Sequence, residues 1–167
     1  MPRPLLMLLG LTGLVFLALN YLSYVAIPPH ANGQTLLDLR PLGYSVQTAL
    51  DWAAGLTATG RDLYLGPVTY FDAGFMVLLA VTIAGLAMHL TPSWTVARIG
   101  ICVFAVIYLY VDVQEGYLIR QLVLSEGGQG AGAYAAIASL STKIKFAAVA
   151  VCLIWLLGLW RNQRMAK

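Results

Sequence analysis

The chain has 167 residues, 60% of them apolar and 10% charged, with a formal net charge of +3. A soluble domain carries about 25% charged and roughly 45–50% apolar residues. This composition therefore excludes an ordinary water-soluble enzyme, and it is too apolar for a disordered tail or a collagen-like rod. The length suits one compact unit, residues 1–167, and the composition points to an integral membrane protein in a lipid bilayer, with no nucleic-acid partner.

A span needs about 20 mostly apolar residues to cross a hydrocarbon core of ~30 Å. The first candidate, residues 4–27, is closed by Pro28-Pro29. It is long, carries Asn20, Tyr21 and Tyr24, and lacks a small-x-small cleavage site, so it is expected to be a retained span and not a signal peptide. Residues 28–66 form an outer loop. Within it Leu42-Gly43-Tyr44-Ser45 reads as a turn into a helix with Ser45 as N-cap. Val46, Ala49, Leu50, Ala53 and Leu56 then recur at helical spacing as one apolar stripe, with Asp51 off it. A second short helix is expected from Gly60 through Leu65. Such helices are expected to cap the bundle in preference to lying flat on the membrane.

The second span is read as residues 67–90, with Pro67 in the first helical turn, where its missing N–H costs nothing. Thr91-Pro92-Ser93 is expected to turn tightly into a third span over residues 94–125. The Gly-rich residues 127–132 lack the Gly-Lys-Ser/Thr ending and the preceding strand of a phosphate-cradling loop, and read as a connector. The fourth span covers residues 134–160. The expected fold is an all-α membrane four-helix bundle with short extracytoplasmic capping helices.

One side of that bundle carries Arg3, Arg98, Arg161, Arg164 and Lys167 and no acid; the other carries Arg40, Arg61, Arg120, Lys143, Lys145 and all seven Asp and Glu residues. The basic counts tie. Discounting Lys143 and Lys145 as within a span and Arg40 as remote from any span end favours both termini in the cytoplasm, with Trp94 and Trp160 at the inner interface. Cys102 and Cys152 fall within spans and form no metal or disulfide pattern. His30 and His89 lie on opposite sides, so they share no metal and hold no b-type haem; no cofactor is expected.

Charges inside spans point to function by default. At a rise of ~1.5 Å per residue, Asp112 lies ~22 Å from Ala97, and Lys145 ~22 Å from Trp160. Glu115 (from Ala97) and Asp72 (from Leu90) come out at ~27 Å, and Asn20 at ~24 Å from Pro4. Polar groups from four helices thus share one outer layer. Asp112 and Glu115, at i and i+3, share a face with Tyr108. Two such carboxylates repel, and Lys145 or Arg61 is the cation that relieves them. Arg120 suits Glu115 less, being turned about 140° away. Asp72, Asp112 and Glu115 could also offer oxygens to a hard cation, although no ligand loop accompanies them.

Several of these residues carry a resemblance. Gly43-Tyr44-Ser45, Leu56, Gly60-Arg61, Tyr64, Phe71-Asp72, Asp112-x-x-Glu115 and Thr142-Lys143-Ile144-Lys145 resemble a group of small bacterial four-span inner-membrane proteins of undefined function. Where that group has Leu-Gly, Asp-x-x-Glu-Asn and a Pro after the span-two Phe, this chain has Leu56-Thr57, Gly116 and Met76. In layout the chain is also similar to the EXPERA families, sterol-isomerase-like and sigma-2-receptor-like. There, acidic side chains face an internal, lipid-accessible cavity and stabilise a carbocation or bind an amine.

Three functions follow as expectations. The first is a non-catalytic protein that binds a partner subunit, a second copy of itself or an apolar, lipid-like ligand through Asp72, Asp112, Glu115, Lys145, Arg61, Tyr108 and Asn20. The second is an intramembrane enzyme on a lipid or isoprenoid, with Asp112 and Glu115 as acid and base. It requires a closed apolar cavity reaching the carboxylates. The third, an ion- or proton-coupled transporter, lacks an inverted repeat and a broken mid-membrane helix. A purely structural role, locking helix registry, stands beside all three.

Overall fold

The computed structural model describes residues 1–91 and 95–165. Within them the protein is an all-α bundle. Four continuous helical stretches, Arg3–Ala26, Ala58–Leu90, Val96–Leu124 and Ala131–Met165, are long and apolar enough to cross a membrane. Their outer faces are apolar around the circumference, with Met7, Leu14, Leu17, Val106, Ile154 and Leu157 all exposed. A helix apolar on every side but not buried in its own chain is built for a hydrocarbon solvent.

Helix α1 (Arg3–Tyr21) starts behind Pro2 and carries Pro4 in its first turn, where neither ring breaks a backbone bond. It runs into a π-helical turn, Leu22–Ala26, and then a 3-10 turn, Pro28–His30. Pro28 and Pro29 have no N–H to continue the ladder. Residues 31–45 fold back over the bundle, tied by an antiparallel bridge between Ala31 and Leu56 and by Thr57 N–H donating to the His30 carbonyl at 2.9 Å.

Helix α2 (Val46–Ala54) has the expected N-cap: Ser45 Oγ accepts from Thr48 N–H at 3.0 Å. It caps the bundle. Ala49, Trp52 and Ala53 are buried with Ile27, Leu36 and Leu37 against Leu118, Ile119 and Leu122 and against Ala135 and Ala138. Val46, expected on the stripe, is exposed, and Asp51 is exposed and accepts from Gln47 Nε2 at 2.7 Å.

The second span differs from expectation at its start. Thr57 Oγ accepts from Gly60 N–H and caps α3 (Ala58–Leu63), which passes through a π-helical turn, Tyr64–Val68, into α4 (Thr69–Leu90). The short helix around Gly60–Leu65 is thus the first part of the span, and Pro67 lies inside the helix instead of at its first turn. The π turn accommodates it, since that turn has already displaced the ordinary ladder that a proline interrupts.

Helices α5 (Val96–Leu124) and α6 (Ala131–Met165) form an antiparallel hairpin, joined by a turn in which Glu126, Gly127 and Gly130 have positive φ. The fourth span therefore begins three residues earlier than expected. Pro92, Ser93 and Trp94, where a turn and an interfacial indole were expected, lie outside the described residues, as does Lys167. The buried positions on α5 (Ile101, Ala105, Tyr108, Asp112, Glu115, Ile119, Leu122) alternate steps of four and three. On α6 Ala131, Ala135, Ala138, Thr142 and Lys145 do the same. That is a coiled-coil seam, and its small residues on α6 let the two backbones approach closely. The main packing runs α1 on α4, α4 on α5 and α5 on α6. A buried hydroxyl pair, Thr12 Oγ1 to Thr82 Oγ1 at 2.8 Å, clasps α1 to α4.

Candidate functional site

In the middle of the α5–α6 seam the heptad positions turn polar. Lys145 Nζ lies 2.8 Å from Asp112 Oδ1 and 2.6 Å from Glu115 Oε2. Thr142 Oγ1 donates to Glu115 Oε1 and also contacts the Ala138 carbonyl at 3.0 Å. All four residues are at most 5% exposed. The i, i+3 spacing that puts both carboxylates on one face of α5 is what lets a single ammonium group touch both. Lys145 occupies the point where a bound cation would otherwise sit. Among the described residues, no three His, Cys, Asp or Glu side chains converge closely enough to hold a metal.

Two further acids approach this group. Asp72 of α4 shares a cavity with Asp112 and Lys145 and belongs to neither ion pair. Asp38, from the loop, is 5% exposed, and its Oδ1 has no hydrogen-bond partner among the described residues. Burial raises the Asp38 pKa above 3.8; Lys145 opposes the shift and Asp112 adds to it. Arg40 covers the same loop, its guanidinium donating to Thr35 O at 2.8 Å, and burial pulls its pKa down. Tyr44, raised by burial and by the Glu115 carboxylate, anchors the loop to α6. Its N–H donates to Ser139 Oγ at 2.9 Å, and Ser139 Oγ donates to its carbonyl at 2.7 Å. The preceding Gly43 has φ +73°, and a Cβ there would lie 2.4 Å from Lys143 Cε.

The cavity has a volume of about 140 Å³. Its walls are Phe16 of α1, Phe75 and Leu79 of α4, Phe146 and Val149 of α6, and Leu39 of the loop; Asp72, Asp112, Lys145 and Tyr108 form its polar side. Phe16 and Phe75 pack with ring centroids 5.6 Å apart. The Tyr108 hydroxyl is buried on this polar side with Asp112. An apolar cavity of about 150 Å³ is enough to admit a benzene-sized molecule.

Of the residues singled out in the sequence, Asp72, Asp112, Glu115, Lys145 and Tyr108 come together here. Arg61 and Asn20 do not. Arg61 forms an ion pair with Glu126 at the hairpin turn. Asn20 Nδ2 donates to Phe16 O on its own helix at 2.8 Å. Asp38, Leu39 and the three phenylalanines were not singled out, and Thr142 stood only within the resemblance, with no site role. Thr142 could have been found from its spacing of three from Lys145. Asp38 could not, because only the fold-back of an aperiodic loop brings it inward.

Comparison with family models, with curated proteins and with solved structures returned no match to this chain.

Proposed function

We propose that this chain is a non-catalytic multi-pass membrane protein that holds a small apolar or lipid-like ligand by its polar end, in the cavity between the four long helices. The observation that carries this reading is the cavity itself: aromatic and aliphatic walls that end on Asp72, Asp112, Lys145 and Tyr108. Few convergent polar groups in an apolar pocket is the common pattern of small-molecule sites. Formally four carboxyls surround one ammonium, so a ligand end that donates hydrogen bonds or carries positive charge suits the site better than an anion. A volume near that of one aromatic ring accommodates the end of such a molecule, with its remainder among the helices or in lipid.

Catalysis by Asp112 and Glu115 as acid and base is less well supported. Both already hold Lys145, and Glu115 does not line the cavity. With Lys143 and Lys145 inside the fourth helix and Arg40 remote from any span end, the remaining basic residues support both termini in the cytoplasm, and the resemblance to bacterial four-span proteins supports an inner-membrane location.

Gentle detergent extraction followed by mass spectrometry of bound small molecules tests the proposal. The wild-type chain is expected to retain a ligand that Asp72→Asn weakens and that Phe75→Trp, which fills the cavity, removes. If both variants fold and retain everything the wild type retains, or if only a protein subunit co-purifies, the ligand reading fails.

A further inference from the structure

The opposite end of the bundle has a separate cleft with its own chemistry. All seven acids lie towards the loop end, whereas Arg3, Arg98, Arg161 and Arg164 gather where α1 begins and α4 and α6 end. Between these three termini is a cleft of about 280 Å³. Its apolar side is Leu86 and Leu90, and its rim is His89, Trp160, Gln163 and Arg164. We propose that this cleft binds an anionic membrane phospholipid, with the phosphate diester on Arg164 and the upper acyl chain along Leu86 and Leu90.

Three features support this occupant. First, Arg164 is restrained: its guanidinium carbon lies 4.2 Å from the centre of the Trp160 ring. The planar guanidinium, seated on the ring, offers a fork of donors suited to phosphate oxygens. Second, the end of α4 would repel a phosphate through its partial negative charge, but its Met88 and Leu90 carbonyls already accept hydrogen bonds. Gln163 Nε2 donates to Leu90 O at 2.9 Å, and Arg98 donates to Met88 O at 3.3 Å and to Thr91 O. Third, the apolar side gives a diacyl lipid a contact that free phosphate cannot use. Trp160 belongs at the membrane–water boundary, the depth of a headgroup.

The test uses the full chain in mild detergent with phosphatidylglycerol or phosphatidylcholine of identical acyl chains, read as lipid bound per protein by native mass spectrometry. Phosphatidylglycerol is expected to be retained about tenfold more strongly than phosphatidylcholine, and Arg164→Glu to abolish that preference. Arg161→Glu makes the same charge change about 100° round the helix from Trp160 and outside the cleft, and is expected to preserve it. Leu86→Trp, which fills the apolar side without altering charge, is expected to reduce retention of both lipids. Equal retention of the two lipids by the wild type overturns the proposal. So does an equal loss in Arg161→Glu and Arg164→Glu, which would mean a diffuse field. Displacement of phosphatidylglycerol by millimolar inorganic phosphate would make the cleft a simple anion site and overturn the lipid assignment.

Discussion

Replacing Lys145 with Met removes the cation that, among the described residues, pairs with Asp112 and Glu115, while nearly preserving side-chain volume. Both carboxyls are then left in a seam where they are 2% and 0% exposed. Breaking a buried ion pair by deleting one partner costs about 3–5 kcal/mol, which is two to nearly four powers of ten in the folding constant. The companion variant is the triple change Lys145→Met, Asp112→Leu and Glu115→Met. It removes the charges together, and Thr142 keeps its 3.0 Å contact with the Ala138 carbonyl. Apolar replacement of buried ion-paired groups is commonly neutral or stabilising; Asp38 and Asp72 stay beside the site, so the triple variant is expected to regain part of what the single one loses. Both are measured by SDS titration in mixed micelles, with helicity followed by far-UV circular dichroism. A single variant within about 1 kcal/mol of wild type, well below the cost of a broken buried pair, would show that the ion pairs do not hold α5 against α6. A triple variant as unstable as the single one would show that packing, not uncompensated charge, is at stake.

The loop supplies the remaining predictions. Because burial raises the Asp38 pKa in the folded chain, its contribution to stability is fully present below pH 3.8 and is lost as pH rises through the folded value. Asp38→Asn is therefore expected to flatten the decline in melting temperature from pH 4 towards neutrality, and parallel curves for the two proteins would refute this. Trp52 is fully buried and packs edge-on to Tyr64 at 5.3 Å between ring centroids. Trp52→Ala is expected to cost about 3–5 kcal/mol and to expose residues 31–45 to limited proteolysis, while far-UV helicity falls little. Gly43→Ala introduces a Cβ at positive φ and against Lys143 and Ser139. It is expected to destabilise by about 1–3 kcal/mol and to accelerate amide exchange at Tyr44, whose N–H bonds Ser139.

The long helices were legible because bilayer thickness fixes the length of an apolar run, and the Ser45 cap because a short side chain must satisfy the first turn of α2. Depth counting brought Asp112, Glu115 and Lys145 to one layer, since rise per residue is nearly constant. Counting along an axis carries no azimuth, however, so it did not separate Lys145, which faces α5, from Arg61, which faces Glu126. Asn20 has the right depth, but its amide bonds to its own helix. The continuity of the second span was obscured by Pro67; the upstream signal was Thr57, three residues before Gly60. Trp52 follows Ala49 by three and shares its buried face, so helical spacing alone would have included it. Asp38 lies beyond such rules because tertiary closure of the loop, not local pattern, decides its burial.

The π turn at Tyr64–Val68 has a consequence for how this protein tolerates insertions and deletions. Gly60, Tyr64, Val68, Asp72, Met76 and Ala80 are spaced by four, and all but the half-buried Asp72 are buried. In a regular α-helix each step of four overshoots a full turn by about 40°, so such a row would wind away from the core. The more slowly wound π turn offsets part of that drift and keeps the capped loop core and the cavity acid on one side of one helix. The chain thus carries a spare residue here. Losing one residue between 64 and 68 would leave a helix still long enough to span, but would swing Asp72 by about 100° relative to Tyr64. Such a deletion is expected to abolish ligand retention, whereas losing one residue after Met88 would leave the row intact. Chain length is therefore fixed by phase around the cavity, whereas beyond Met88 the row itself sets no such limit.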